Sequence, residues 1–298
     1  MLTRRSFIRG LLGSVLAGLF ASLWAFFIEP ALRLRVKKWR IQSSKWKIDA
    51  LRIAIVSDLH MGEPYVGLKR LRTLVRRTNA LGADIIVILG DLTAGHQFLT
   101  KPIEVERTAK ELAALKAPLG IFAVLGNHDW WDDPSAQKRR KGPVLGQRAL
   151  EQNNIPVLEN QAIKLEHAKG AFWLAGLGDQ LAFRLGNGRF QGVDDLPATL
   201  AQAVDDAPVI LLAHEPDIFP EVPQTVALTL SGHTHGGQVR LFGWSPIVPS
   251  RFGNRYAYGH IHEDHRDLVV SGGIGCSIAP VRFGVTPEIT LVTLEASV

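Results

Sequence analysis

The chain has 298 residues, 46% hydrophobic and 21% charged, enough apolar material for one large α/β domain or two small ones. A single cysteine, Cys276, excludes an internal disulfide framework and reads as a small packing residue. The formal net charge is +6, but residues 1–49 hold ten Lys/Arg against two acids and the remainder 24 against 26. The body of the protein is close to neutral, which argues against nucleic acid as a partner.

The first element is an anchor. Arg4 and Arg5 precede Gly10 to Ile28, a run with no charge that is about as long as a membrane-spanning helix needs. The run Thr3-Arg4-Arg5-Ser6-Phe7-Ile8-Arg9 resembles a twin-arginine export signal, S/T-R-R-x-F-hydrophobic-K/R. The alternative is a pair of chance arginines before a membrane helix. No A-x-A cleavage site stands near the end of the run, so residues 1–32 are expected to remain as a membrane anchor. Residues 33–50 then read as a basic juxtamembrane linker in which Trp39 and Trp46 sit among lysines and arginines. Such a segment suits an anionic lipid surface, at roughly 1 kcal/mol per cation. Topology is in conflict. Positive charge after the helix argues for a cytoplasmic domain, whereas the signal argues for passage through the twin-arginine translocase. Export is the reading taken, with the domain on the periplasmic side and the cytoplasmic face of the inner membrane as the alternative.

The domain proper spans 51–298. "RIAIVSDLH" is a short, β-branched buried strand, and "GLKRLRTLVRRTNALG" an amphipathic helix with Leu68, Leu71, Leu74 and Val75 on one face. "ADIIVILGD", "VERTAKELAAL" and "GIFAVLGNHD" continue the strand, helix, strand order, which implies parallel strands with crossover helices. Helices are expected over 143–153 and 195–205, and later strands at "FWLAGLGD", "PVILLAHEP", "VALTLSGH", "LVVSGG" and "ITLVTLE". The fold class is α/β, with two packed mixed sheets flanked by helices. Because the first core strand begins at Arg52, a chain starting near Ile48 is expected to fold.

Chemistry collects at the carboxyl tips of these strands, where α/β sheets bind ligands. Asp58 and His60 follow the first strand, Asp91 the second, and Asn127, His128 and Asp129 the third. His214 follows "VILLA", and His233 and His235 follow "VALTLSG". Each alone is a common turn; five tips in series carrying only Asp, Asn and His are not. Carboxylate, amide and imidazole donors suit Mn, Fe or Zn, and two such ions roughly 3.5–4 Å apart can clamp a displacement at phosphorus.

Asp58-Leu-His60, Gly90-Asp91, Gly126-Asn127-His128-Asp129, His214 and Gly232-His233-Thr-His235 resemble, in order, the motifs of the calcineurin-like metallophosphoesterase superfamily. "GHTHGGQVRLFG" and "APVRFGVTPEITLVTLE" resemble the YaeI/YkuE-type bacterial phosphodiesterases. The resemblance implies an αββα sandwich and two divalent metal ions sharing a hydroxide. Asp58, His60, Asp91 and His235 would hold one metal; Asp91, Asn127, His214 and His233 the other. His128 would be the catalytic acid.

Two departures matter. Gly90-Asp91-Leu92-Thr93-Ala94-Gly95-His96 lacks the D-R-G of the protein Ser/Thr phosphatases, so another group must orient His128, and Asp129 is the neighbour at hand. Relatives often carry an arginine where Gly272 stands, which leaves Arg282 or Arg240 to grip the substrate phosphate. Trp130 and Trp131 either stack on substrate or pack their loop. His96 could border the cleft, His260, His262 and His265 read as a solvated loop, and His167 as surface. The function implied is a membrane-associated phosphodiesterase or pyrophosphatase on a lipid-linked or envelope phosphoester such as UDP-2,3-diacylglucosamine. The alternatives are a phosphomonoesterase with a soluble substrate and a non-catalytic metal-binding protein.

Overall fold

The computed structural model describes residues 3–94, 98–168 and 170–297; His96 lies outside them. Helix α1 (Arg4–Leu23) continues as a wider π-helical segment over Trp24–Leu32, which contains Pro30. Together they are long and apolar enough to cross a bilayer, and their apolar stretch is not covered by the rest of the chain.

Eleven strands make the two main sheets: β1 (Arg35–Ser43), β2 (Leu51–Val56), β3 (Ile85–Leu89), β4 (Ile121–Val124), β5 (Gln161–His167), β6 (Gly170–Gly176), β7 (Val209–Leu212), β8 (Val226–Ser231), β9 (Gly259–Glu263), β10 (Arg266–Val270) and β11 (Glu288–Ala296). The first sheet runs β1-β11-β2-β3-β4, the second β9-β10-β8-β7-β6-β5. β2, β3 and β4 are mutually parallel, as are β6, β7, β8 and β10. The crossover helices are α2 (Leu68–Asn79) and α3 (Val105–Leu112), as the apolar periodicity predicts. Leu145–Gln152 is helical close to its expected span, while the helix expected over 195–205 is confined to Leu196–Leu200.

β2 shows why the strands read as unbroken apolar runs. Ile53 and Ile55 enter the core between the sheets, with Phe172, Leu212 and Leu230 from the opposite side. Ala54 and Val56 enter the layer beneath the helices, with Leu71, Leu74 and Leu112. A strand covered on both faces has no polar side to alternate with.

The segment 33–50 corrects the expectation of a linker. Residues 35–43 form β1, the parallel edge partner of β11, with Arg35 ion-paired to Glu288 at 2.8 Å and Arg40 to Glu295 at 2.8 Å. Trp46 is fully buried between the sheets, its ring 5.4 Å from Phe172 and its Nε1–H donating to the carbonyl of Asp49. Trp46 therefore belongs to the core. The abundant cations of β1 hide a strand whose charges answer acids on β11. A chain starting near Ile48 loses this edge and the Trp46 ring, so it is expected to unfold readily, whereas one starting at Arg33 keeps both. Trp46→Ala should cost about 3–5 kcal/mol by urea denaturation; a loss under 1 kcal/mol would place Trp46 outside the cooperative core.

Candidate metal centre

The carboxyl ends of β2, β3 and β4 in one sheet and of β7 and β8 in the other converge on a single rim. The turns there are tight. Asp58, His60, Asp91, His233 and His235 all have positive φ, between 41° and 66°, a region L-residues rarely occupy. Such backbone costs roughly 1–3 kcal/mol per residue and persists where the surroundings enforce it. Hydrogen bonds between the tips do so: Asp58 N–H donates to the Gly90 carbonyl (3.1 Å), His60 N–H to that of Asp91 (3.0 Å), and Gly232 N–H to that of His214 (3.0 Å).

The side chains meet in two groups that share one carboxylate. Asp91 Oδ2 lies 3.4 Å from His60 Nε2 and 3.4 Å from His214 Nε2. On one side, His235 Nε2 is 3.1 Å from His60 Nε2 and 3.7 Å from Asp58 Oδ1. On the other, His233 Nδ1 is 2.8 Å from Asn127 Oδ1. Asp58, His60, Asp91 and His235 thus form one group able to hold a metal, and Asp91, His214 and His233 another, with Asn127 beside it. The structure brings all seven sequence-predicted ligand residues together, six of them buried and His233 nearly so.

The donor chemistry fits a cation. The His60 imidazole can donate from Nδ1 to the Thr93 carbonyl (3.0 Å), and His214 Nδ1–H donates to that of Leu89. Those bonds turn the other nitrogen of each ring toward Asp91, where a cation would bind it. His214 Nε2 is buried without a hydrogen-bond partner, a costly state that a metal ion relieves. Burial, then the charges of neighbouring His214, push His233 down to about 3; burial, His60 and the Arg282 guanidinium hold His235 well below the usual imidazole range. Those two rings are neutral, as a metal needs. Burial opposes the charge on His214, but Asp91 and Glu215 outweigh it and raise its pKa well above the usual range, and a cation at Nε2 would replace that proton. Burial opposes ionisation of Asp91, but the imidazoles of His214 and His128 outweigh it and keep its carboxyl well below the usual range.

Gly126 is required by space. A Cβ there would stand 2.4 Å from Asp91 Oδ1 and 2.6 Å from His214 Cε1. Gly126→Ala should leave circular dichroism unchanged and weaken metal affinity roughly 10–100-fold; unaltered affinity in a metal titration would show that Asp91 and His214 do not need their present positions.

Three expected roles are corrected. Asp129 does not orient His128: its carboxylate accepts from the backbone N–H groups of Asp91, Leu92 and Gly126, each at 2.9 Å, and so splints two ligand loops together. Burial and neighbouring Asp91 push that carboxyl up to about 6, against the pull of the backbone bonds. Asp132 is the carboxylate nearest the ring instead, with Oδ2 3.5 Å from His128 Nδ1, an ion-pair distance that leaves Nδ1 without a hydrogen bond, and held by the Thr93 hydroxyl at 3.1 Å. Arg282 is fully buried and donates to the carbonyls of Gly272, Gly275 and Val285 and to His235 Nδ1 (3.1 Å), so it positions a ligand and cannot reach substrate. Trp130 is fully buried, edge-on to Phe183 at 5.2 Å, and packs its loop.

Trp131 instead lines a cleft of about 540 Å³ whose floor holds Asp91, Asn127, His128, His233 and His235. Arg184 lines it too, exposed and 4.2 Å above the Trp131 ring. Arg240 is not among the lining residues; its guanidinium lies over Tyr258. Sequence reasoning missed Arg184, Asp132 and Ser277, whose Oγ is 3.3 Å from His128 Nε2, because none sits at a strand tip. His260 and His262 lie on β9 and share Asp267 Oδ1 at 2.8 and 2.9 Å, a strand pairing where a solvated loop was expected.

The family model for calcineurin-like phosphoesterases matches residues 51–264, most of the chain and all of the convergent residues. The chain belongs to that family. It is 30% identical to the uncharacterized metallophosphoesterase YkuE of Bacillus subtilis, each covering 99% of the other. It is 32% identical to the putative metallophosphoesterase F40B5.2 of Caenorhabditis elegans, over 93% of this chain, and 30% identical to a transmembrane protein with metallophosphoesterase domain of Danio rerio, over 83%. The chain spans 54% of the length of each of those two animal proteins. It is a metallophosphoesterase, a hydrolase of phosphoester bonds, carrying residues able to bind metal.

Proposed function

We propose that this chain is a membrane-anchored, dimetal phosphodiesterase or pyrophosphatase acting on a lipid-linked or envelope phosphoester. The observation that carries the reading is Asp91 Oδ2, held 3.4 Å from imidazoles of both ligand groups at the floor of the cleft. Asp58, His60, Asp91 and His235 would hold one divalent cation, and Asp91, Asn127, His214 and His233 the other, with Mn, Fe or Zn suited to these donors. Two such ions supply Lewis acidity and an activated water at neutral pH.

The protein's own groups do the rest. His128 lines the cleft beside the ligands and, positioned by Asp132, protonates the leaving oxygen. Arg184 lines the same cleft over the Trp131 ring and can pair with a phosphate oxygen. Val239, Pro246, Ile247, Ile278 and Val281 make the remaining wall apolar, which favours a substrate with a hydrocarbon part. UDP-2,3-diacylglucosamine is one compound of this class.

Export by the twin-arginine translocase, leaving the domain on the periplasmic side, is the localisation proposed. The pairing of Arg35 and Arg40 with glutamates supports it, since these charges are neutralised in the fold and count less toward cytoplasmic retention. Metal-loaded protein should hydrolyse bis(p-nitrophenyl) phosphate faster than p-nitrophenyl phosphate. Preference for the monoester would favour the phosphomonoesterase alternative.

A further inference from the structure

The mouth of the cleft is rimmed by large apolar side chains that the fold leaves in water. Phe242 is fully exposed, Ile278 77%, Ile247 72% and Trp244 60%. Phe242 and Gly243, both at positive φ, form the tip of a tight turn closed by hydrogen bonds between Leu241 and Trp244. Ile247 and Ile278 belong at once to this rim and to the cleft wall. Soluble surfaces seldom gather so much apolar area in one place unless something covers it.

Hydrogen bonds connect the rim to the anchor. Arg240 N–H donates to the Phe283 carbonyl at 2.8 Å and Phe283 N–H to that of Gln238 at 2.9 Å, stitching the 238–249 loop to residues 277–284. The Gln238 side chain adds bonds to the carbonyls of Ala279 and Val281. The last turns of the anchor dock on that same segment. Arg282 N–H donates to the Ala25 carbonyl at 2.9 Å, and Glu29, almost fully buried, accepts from Gly284 N–H at 3.1 Å and the Thr286 hydroxyl at 2.9 Å. The end of the membrane helix is therefore fixed one residue from Phe283, and Phe283 is bonded to the segment leading into the Phe242 turn.

We propose that the rim of Leu241, Phe242, Trp244, Ile247 and Ile278 is a second membrane contact, inserted into the headgroup and upper acyl region of the bilayer that holds the anchor. Trp and Phe on a turn tip suit that depth. The anchor sets which face of the domain meets the bilayer, and the rim sets the cleft mouth against it, so a lipid substrate enters without crossing water. The inference deepens the lipid-substrate reading, although insertion can be measured without any hydrolysis.

The test uses the full chain in phosphatidylcholine–phosphatidylglycerol vesicles. Phe242→Cys, labelled with an environment-sensitive NBD group, is compared with the same label at Val204→Cys, an exposed apolar position outside the rim; mock-labelled parent protein controls for the buried Cys276. A nitroxide at carbon 5 of the acyl chain should quench the label at 242 well beyond that at 204. In parallel, the double variant Phe242→Asp, Trp244→Asp should keep its rate on a soluble aryl diester and lose roughly tenfold on a phosphodiester lipid in vesicles. An unquenched label at 242 overturns the proposal, whether that site proves to face water or a second copy of the chain revealed by label self-quenching. Equal losses of the double variant on both substrates overturn it too. Quenching without hydrolysis of any diester would leave the rim in place and remove only the diesterase reading.

Discussion

Asp91→Ala is expected to strip the centre of both proposed cations and lower turnover on an aryl diester by roughly 10³-fold or more. Losing about 4 kcal/mol of transition-state charge stabilisation gives that factor. Among the described residues no other carboxylate belongs to both ligand groups. Asp58 Oδ1 is occupied by the His233 N–H at 2.8 Å, and both oxygens of Asp129 are taken by backbone N–H groups. His60→Ala should weaken mainly the group containing Asp58 and His235, because His60 faces that side. Elemental analysis of the two purified variants decides the matter: equal depletion by both substitutions, or none by either, would refute a shared carboxylate.

The second large effect falls on the proposed proton donor. His128→Ala should cost about 10²–10⁴ in turnover on a substrate with a poor leaving group, while metal content stays at that of the parent protein. Burial by itself would lower the His128 pKa; Asp91 and Asp132 outweigh it and raise it. The sign of a pH test follows. Protonated His128 is the active form, so the alkaline limb of the rate profile reports its pKa. Asp132→Asn removes an anion that raises that value, so the limb should move to lower pH, with a smaller loss in turnover than His128→Ala. Asp129→Asn makes a different expectation. An amide nitrogen cannot accept from the backbone N–H groups that the lost oxygen served, so metal affinity should fall; Asp129 also raises the His128 pKa, by less than Asp132 does, so the limb should move the same way but less far. A profile unchanged in Asp132→Asn but shifted in Asp129→Asn would return the orienting role to Asp129.

The sequence by itself determined the features written in local patterns. The uncharged run Gly10–Ile28 specifies a helix able to span a membrane, because length and apolarity alone set that property. The core strands and crossover helices are legible because strands covered on both faces are continuously apolar and helices on one face are periodic. The ligand residues are legible because each directly follows a strand, and parallel strands deliver their tips to one rim. Tertiary structure decided what rests on contacts between distant segments. β1 looks like a basic linker until Glu288 and Glu295, some 250 residues away, answer its arginines. Arg282 looks like a phosphate ligand until the fold surrounds it with carbonyls. Asp129, adjacent to His128 in sequence, turns away on its short helix, while Asp132, one helical turn on, returns to the imidazole. The left-handed turns at five of the seven ligand positions are set by hydrogen bonds between separate strand tips, and no residue type in the motifs announces them. Burial and pairing across the chain decide these points, and a local pattern carries neither.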